Sequence, residues 1–373
     1  MINFDYKDAF CGFFDTDGSI RIAVINRQKK EKKYKIPLGF ETKFCFSQSS
    51  FNSGVFTVLE SSFCEKETFF LHQRFRWRKQ VENKEVVTST FFQSSSGKEM
   101  QAILENKGLF HPKALNDFLL AKKVNDLLKA KTNYTPEGLV TLVYLAYKTS
   151  NESDTNSTII KKQPIENHFK TINATQDQLS RGIAEGEKHS ELILQKVNLL
   201  KERLPKTRLK ADYMIGAHYG DGSLYMVYDW SLEAISTRPV WSITDPSMPY
   251  LEAFKFSTKT GQIHGVGKSG NCAQFIVNSQ KDATEVVLPL FKDKPLPFYK
   301  KNQFCRFKLG VIVLYTKRHT TLNGTKLLLR LTYKMSNNTR RKHSKKELLN
   351  IFIKYRKKHP GRTFRVKEIP KGW

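Results

Sequence analysis

Acidic side chains are scarce in this chain: 35 Asp and Glu stand against 63 Lys and Arg in 373 residues, a formal charge of +28. That deficit excludes a protein built to meet cationic partners and points to a polyanion, nucleic acid foremost. Cysteine is scarce as well. The five present, Cys11, Cys45, Cys64, Cys272 and Cys305, are odd in number and never spaced as CxxC, which excludes a disulfide framework and a zinc ribbon and fits a reducing compartment. Long apolar runs are missing: stretches such as 142–147 and 310–315 fall far short of the ~18 residues that a membrane span requires. The first residues follow neither the charged-then-apolar plan of a secretory signal nor the Arg-rich, acid-poor plan of a transit peptide. A soluble protein is therefore expected. Hydrophobic residues at 39% and aromatics at 12% suffice for ordinary cores, in a length that suits about two to three domains. The abundance of Lys, Asn and Phe fits an AT-rich genome and hence an organelle, chloroplast or mitochondrion.

What the chain does contain is itself, twice. Phe10-Cys-Gly-Phe-Phe-Asp-Thr-Asp-Gly18 reads as an apolar helix ending at a glycine, followed by an alternating strand over 19–25. Downstream, Met214-Ile-Gly-Ala-His-Tyr-Gly-Asp-Gly222 runs into a second such strand, 223–228. Superposing Gly18 on Gly222 pairs Gly12 with Gly216, Asp17 with Asp221 and Ser19 with Ser223, an offset of 204. A closing block repeats too. Residues 131–151 match 317–337 at an offset of 186, with nine of 21 positions identical, among them Thr135 with Thr321, Gly138 with Gly324 and Asn151 with Asn337. Two matched blocks in the same order make a duplication.

Between the blocks, the pattern predicts strands at 38–48, 68–77 and 85–92 with a short helix over 53–63, and in the second copy strands at 238–245, 262–267 and 272–278 with a helix around 250–256. Each copy closes with helices, 112–131 and 136–148 in the first, 302–317 and 324–335 in the second. Residues 152–209 are polar and read as a linker whose later part, 176–204, forms a helix. In the tail, 338–373, 13 Lys and Arg face two Glu, with an amphipathic stretch at 345–355. A basic tail of this kind makes nonspecific nucleic-acid contacts.

In each motif helix small residues lie four apart, Gly12 and Thr16, then Gly216 and Gly220, which suits the two helices to close packing on each other. Such packing puts Asp17 and Asp221 at neighbouring C-terminal ends, where helix dipoles and two carboxylates together call for cations. Hard divalent ions such as Mg²⁺ suit those oxygens, and metals beside DNA phosphates support hydrolysis. A calcium EF-hand starting at Asp15 is excluded, because its sixth and twelfth positions would be Ile20 and Asn26. An isolated Asp-Gly more often caps a turn, but this one is repeated. His218, with no His or Cys partner in the first copy, reads as a packed helix residue rather than a ligand.

Phe10 to Gly18 followed by Ser19-Ile20 resembles the nonapeptide of the LAGLIDADG homing endonucleases, and Met214 to Gly222 resembles the diverged second copy of their single-chain members. Thr135-Pro-Glu-Gly138 and Thr321-Leu-Asn-Gly324 are similar to the family's end-of-domain pattern. The resemblance implies an α+β fold of two pseudo-symmetric αββαββα domains, 1–151 and 210–337, with antiparallel saddle-shaped sheets forming a basic surface over DNA and motif helices packed at the axis. By matching position it makes Asp17 and Asp221 the metal-binding catalytic acids. It makes Gln48 and Asp245 the polar residues ending the second strands beside the metals. A basic residue near the scissile phosphate is expected before the penultimate helix, with Lys123 and Lys301 as candidates and Lys122 and Lys300 as adjacent rivals. Two positions depart from the pattern: the sixth motif residue is Asp15 in one copy and Tyr219 in the other, and His218 replaces an apolar residue. The implied activity is a monomeric, Mg²⁺-dependent, intron-encoded endonuclease cutting double-stranded DNA. An RNA-binding maturase acting on its host intron is the alternative.

Overall fold

The computed structural model describes residues 4–27, 36–49, 54, 55, 58, 74–79, 86–94, 97–149, 165–230, 235–266, 272–335 and 344–358. The chain divides into two compact units, one of residues 10–50 and 62–205, the other of residues 1–9, 51–61 and 206–373. Among the described residues no helix is long and apolar enough to cross a membrane.

In the first unit, helix α1 (Tyr6–Asp17), inside which the division falls, hands over directly to strand β1 (Gly18–Asn26). Strands β2 (Leu38–Ser49), β3 (Arg74–Lys79) and β4 (Val86–Ser94) complete an antiparallel sheet of order β1-β2-β4-β3. Period-two alternation sends Ile20, Ile22, Phe44 and Phe46 to the buried face and Ser19, Arg21 and Lys43 to the other. Phe10, Phe13 and Phe14 share one face of α1 and close on the Phe46 ring, with centroids 5.8, 5.6 and 5.5 Å from it. Helices α2 (Gly97–Lys107), α3 (Pro112–Lys129) and α4 (Pro136–Lys148) follow.

The segment expected to be a linker carries two more helices of this unit, α5 (Ile165–Ile172) and α6 (Gln176–Arg203). Ile172 joins the core cluster of Leu38, Leu139, Val140 and Val143. α6 begins at a capping box between Thr175 and Gln178. It crosses α4 so closely that a Cβ at Gly182 would lie 2.6 Å from the Glu137 carbonyl oxygen, and the Thr141 hydroxyl donates to the Gly182 carbonyl at 2.9 Å. Polar composition hid this packing because backbone proximity at Gly182 and Gly186, rather than a broad apolar stripe, makes the contact.

The second unit repeats the plan. Helix α7 (Ala211–Gly220), strands β5 (Gly222–Trp230) and β6 (Ile235–Asp245), helix α8 (Met248–Thr258) and strands β7 (Gln262–Val266) and β8 (Cys272–Val277) form an antiparallel sheet of order β5-β6-β8-β7. A helical segment then runs through Gln280–Asp282, Ala283–Val287 in π geometry and Leu288–Phe291, before α9 (Phe298–Tyr315), α10 (Leu322–Met335) and α11 (Lys345–Lys358). Its core centres on Trp241, with the rings of Phe275 and Phe291 each 5.7 Å away. A Cβ at Gly310 would sit 3.2 Å from the Met226 thioether, so α9 covers the sheet face that holds Met226 and Trp241. Tyr225, Arg238, His264 and Gln274 alternate onto the opposite face.

The α+β class is found in both copies, and the full order helix, two strands, helix, two strands, helices in the second. Of the helix expected over 53–63, only Gly54, Val55 and Val58 are described, all helical, and the expected strand at 68–77 begins at Arg74 because its earlier residues lie outside the described ones. Cys64, Asn151 and the tail beyond 358 also lie outside them. Helices α2, α5 and the 280–291 segment were not anticipated; they are short or irregular. The closing blocks coincide closely. Lys131 and Lys317 both take left-handed backbone, with φ 61 and 58°. Four residues later Thr135 and Thr321 each accept the N–H of Gly138 or Gly324 at 3.1 Å. A Cβ at either glycine would lie within 1.9 Å of a carbonyl oxygen, which explains why both copies keep it.

Candidate active site

Asp17 is the last residue of α1, half-buried, and Asp221 ends α7, exposed, its N–H donating to the Ala217 carbonyl at 3.2 Å. Each is followed by a glycine that opens the first strand. Gly18 pairs with Phe46 and Gly222 with Ile243. Gln48 and Asp245 each lie two residues beyond those partners, so the registers bring Gln48 to the Asp17 end of its hairpin and Asp245 to the Asp221 end of its own. Gln48 pairs with Thr90 and Asp245 with Ala273. Asp245 is buried, and its Oδ1 accepts the Ser247 N–H at 2.6 Å, closing the turn into α8.

The lysines separate. Lys300 is buried in the first turn of α9, where its Nζ donates to the Gly222 carbonyl at 2.6 Å, one residue past Asp221. Lys301 points to solvent. In the first copy the expected placement before the penultimate helix is corrected: α3 already starts at Pro112, and Lys122 and Lys123 lie more than halfway along it. Lys122 pairs with Glu105 at 2.8 Å on the surface, and the charge of Lys123 helps burial hold the His189 imidazole below its ordinary pKa. α3 and α9 are both 18 residues long and correspond at the 186 offset, so Lys123 matches Leu309, and Lys300 matches Ala114. Lys123 and Lys301 are therefore not an equivalent pair. Each belongs to a Lys-Lys doublet, and a doublet does not report position along a helix.

The departure at the sixth motif residue has a physical account. Asp15 is buried, and its Oδ2 accepts the N–H groups of Phe110 at 2.7 Å and His111 at 3.1 Å, at the start of α3. In the second copy the positions of those two donors hold Leu296, whose N–H donates to the Lys294 carbonyl at 2.8 Å, and Pro297, which has no N–H to give. Tyr219 supplies a donor instead, its hydroxyl reaching the Pro295 carbonyl at 2.8 Å. Acid and phenol thus anchor the same loop with opposite polarity. Burial raises the Tyr219 phenol far above its ordinary pKa and keeps it protonated as that donor.

His218 is fully buried, edge-to-face with Phe291 at 4.7 Å, and neither ring nitrogen has a hydrogen-bond partner among the described residues. Burial first, and the nearby Lys300 charge second, hold its pKa well below the ordinary value, so it packs as a neutral ring. Acidic residues that the motif reading overlooked anchor the first turns. Asp8 and Asp212, equivalent at the 204 offset, take Lys210 at 2.9 Å and Lys294 at 2.7 Å. The second unit also contains the approach expected of the small residues: a Cβ at Gly216 would lie 1.8 Å from the Ala9 carbonyl oxygen.

No family model and no curated protein sequence matches the chain. Solved structures do. The I-LtrWI LAGLIDADG homing endonuclease bound to target DNA is similar at a TM-score of 0.62 and 19% identity, over 89% of this chain and 98% of that one. The I-GzeII LAGLIDADG homing endonuclease in complex with its DNA target is similar at 0.60 and 14%, over 91% and 100%. The chain has the LAGLIDADG homing endonuclease fold. I-SmaMI bound to an uncleaved DNA target in the presence of calcium ions is similar at 0.62 and 18%, over 90% and 99%.

Among the described residues no three His, Cys, Asp or Glu gather as a metal site. What this LAGLIDADG fold offers is one hard carboxylate per copy at a helix end, which fits an ion that takes its remaining oxygens from phosphates and water, as Mg²⁺ does. Among the described residues the strands of the two copies differ in how many cations they hold. The strands of the first hold Arg21, Lys43, Arg74, Arg76, Arg78 and Lys79 against Glu41; those of the second hold Arg238 against Asp229 and Asp245.

Proposed function

We propose that the chain is a site-specific DNA endonuclease that cuts both strands of a long asymmetric target, one strand per motif carboxylate, and that a group I intron of an organelle genome encodes it. The observation that carries this reading is the repetition of a buried helix ending in Asp-Gly and feeding a hairpin of the same register. Two equivalent acids in one chain can address two antiparallel strands without a second subunit, so a monomer suffices. The DNA bound to the similar structures supports duplex DNA as the partner.

In this reading Asp17 and Asp221 hold Mg²⁺, which when bound polarises the scissile phosphate and acidifies its water. Gln48 and Asp245, at the same hairpin ends, orient water and phosphate by hydrogen bonding. Lys300, rather than Lys301, sets a positive charge beside Asp221 to stabilise charge developing on the phosphate. In the first copy Lys122 and Lys123 remain the candidates from sequence, with Lys113 the lysine in the first turn of α3. The test is incubation with Mg²⁺ and the intronless allele of the gene that carries the reading frame. Cutting at one site supports the proposal; silence together with tight binding of the intron RNA favours the maturase instead.

A further inference from the structure

We propose that the second unit carries a second DNA-binding surface on its helical side, and that the protein uses it to pass directly from one DNA segment to another. The proposal rests on the reading of duplex DNA as substrate. It starts from where the charge lies. Among the described residues the open face of the second sheet is close to neutral and holds side chains that bond one another: Gln274 Nε2 donates to Thr244 Oγ1 at 3.1 Å, and His264 and Gln262 are joined at 3.2 Å. Such a face can meet base edges but offers little to phosphates.

The cations of this unit lie elsewhere. Residues 298–358 contain 18 Lys and Arg and a single acid, Glu347. That acid is occupied at the start of α11, accepting the Ser344 N–H at 2.7 Å while its own N–H donates to Ser344 Oγ at 3.2 Å. Lys326, Arg330 and Lys334 are all exposed and recur every four residues along α10, one line of charge about 12 Å long. α11 docks beside it through Leu348 and Phe352 and exposes Lys346, Lys354, Lys357 and Lys358. An ordinary solvated face intersperses both signs; this one does not.

α9 covers the Met226 face of the sheet, and α10 packs on α9 and on strand β5, so the two form one helix layer about 10 Å thick, and the exposed stripes lie on its surface rather than on the open face. A duplex on the open face of this sheet does not reach them. Phosphate neutralisation by such stripes is sequence-independent and quickly reversible. A second duplex can therefore bind before the first leaves, which turns dissociation into exchange.

Stopped-flow dissociation of a fluorescent duplex from the full chain tests this, with unlabelled duplex added at rising concentration. The observed rate should climb in proportion to competitor, several-fold across the series. In the variant carrying Lys326→Gln, Arg330→Gln, Lys334→Gln, Lys346→Gln and Lys354→Gln it should stay flat. A wild-type rate independent of competitor overturns the proposal, and so does a variant as competitor-sensitive as wild type. Sensitivity to structured RNA but not to duplex DNA also overturns it, by assigning the surface to RNA. Failure to bind duplex DNA at all overturns the endonuclease reading with it, whereas competitor-independent release overturns the second surface alone.

Discussion

The Lys300 ammonium donates to the Gly222 carbonyl at 2.6 Å from a buried position, so the start of α9 is tied to the residue that follows Asp221. A buried amine is costly without partners, and Lys301, one residue on, is exposed. Lys300→Met should slow single-turnover cleavage by about 10²-fold, the usual cost of losing one transition-state donor. Lys301→Met should change it by less than about threefold, as for an exposed charge. Equal effects would remove Lys300 from the site.

Asp15 accepts two N–H bonds where Tyr219 makes one from its hydroxyl. A typical hydrogen bond contributes about 1 kcal/mol net. Asp15→Ala should therefore destabilise by about 2 kcal/mol or more in denaturant unfolding, and Tyr219→Phe by about 1 kcal/mol. Cleavage per folded molecule should survive both, because these residues anchor loops. Loss of cleavage without loss of stability in Asp15→Ala would place Asp15 in the chemistry.

Gly216 faces the Ala9 carbonyl so closely that any side chain must displace backbone. Gly216→Ala should destabilise by about 1–3 kcal/mol, the range for overpacking, as read from the shift of the urea midpoint. An unshifted midpoint would show that the approach is not required.

His218 is held neutral by burial and by Lys300, with its pKa below the ordinary value. The unfolded chain binds a proton as pH falls through about 6.5 while the folded chain does not, so the stability associated with this ring is intact above that pH and declines below it. Between pH 6.5 and 5 the wild type should lose more stability than His218→Leu, measured by thermal unfolding. Parallel pH profiles would contradict the buried neutral ring.

Much of this is legible in the sequence. The Gly18 and Gly222 superposition located both hairpins, and the Thr135 to Gly138 and Thr321 to Gly324 match foretold a cap that recurs with equal bond lengths. Repetition is informative because it fixes backbone geometry twice over. The linker was less legible, since α6 meets α4 at Gly182 and Gly186, whose value is the absence of a side chain and which carry no hydropathy signal. The lysines are hard to read for a related reason: a Lys-Lys doublet reveals neither which member is buried nor how far along a helix it sits. The exchange of Asp15 for Tyr219 is legible only in part: Pro297 removes one of the two donors that a carboxylate takes in the first copy, while the turn that occupies the Leu296 N–H shows only in the structure.

The central claim is that Asp17 and Asp221 each serve one strand of a duplex. Its most direct measurement is strand-resolved cleavage of the intronless allele, labelled on each strand in turn, by wild type, Asp17→Asn and Asp221→Asn with Mg²⁺. The account predicts that the wild type cuts both strands at one site and that both variants lose double-strand cutting while still binding the target. Variants that make double-strand breaks at the wild-type rate, or a wild type that binds the target with Mg²⁺ present and leaves both strands whole, would contradict it.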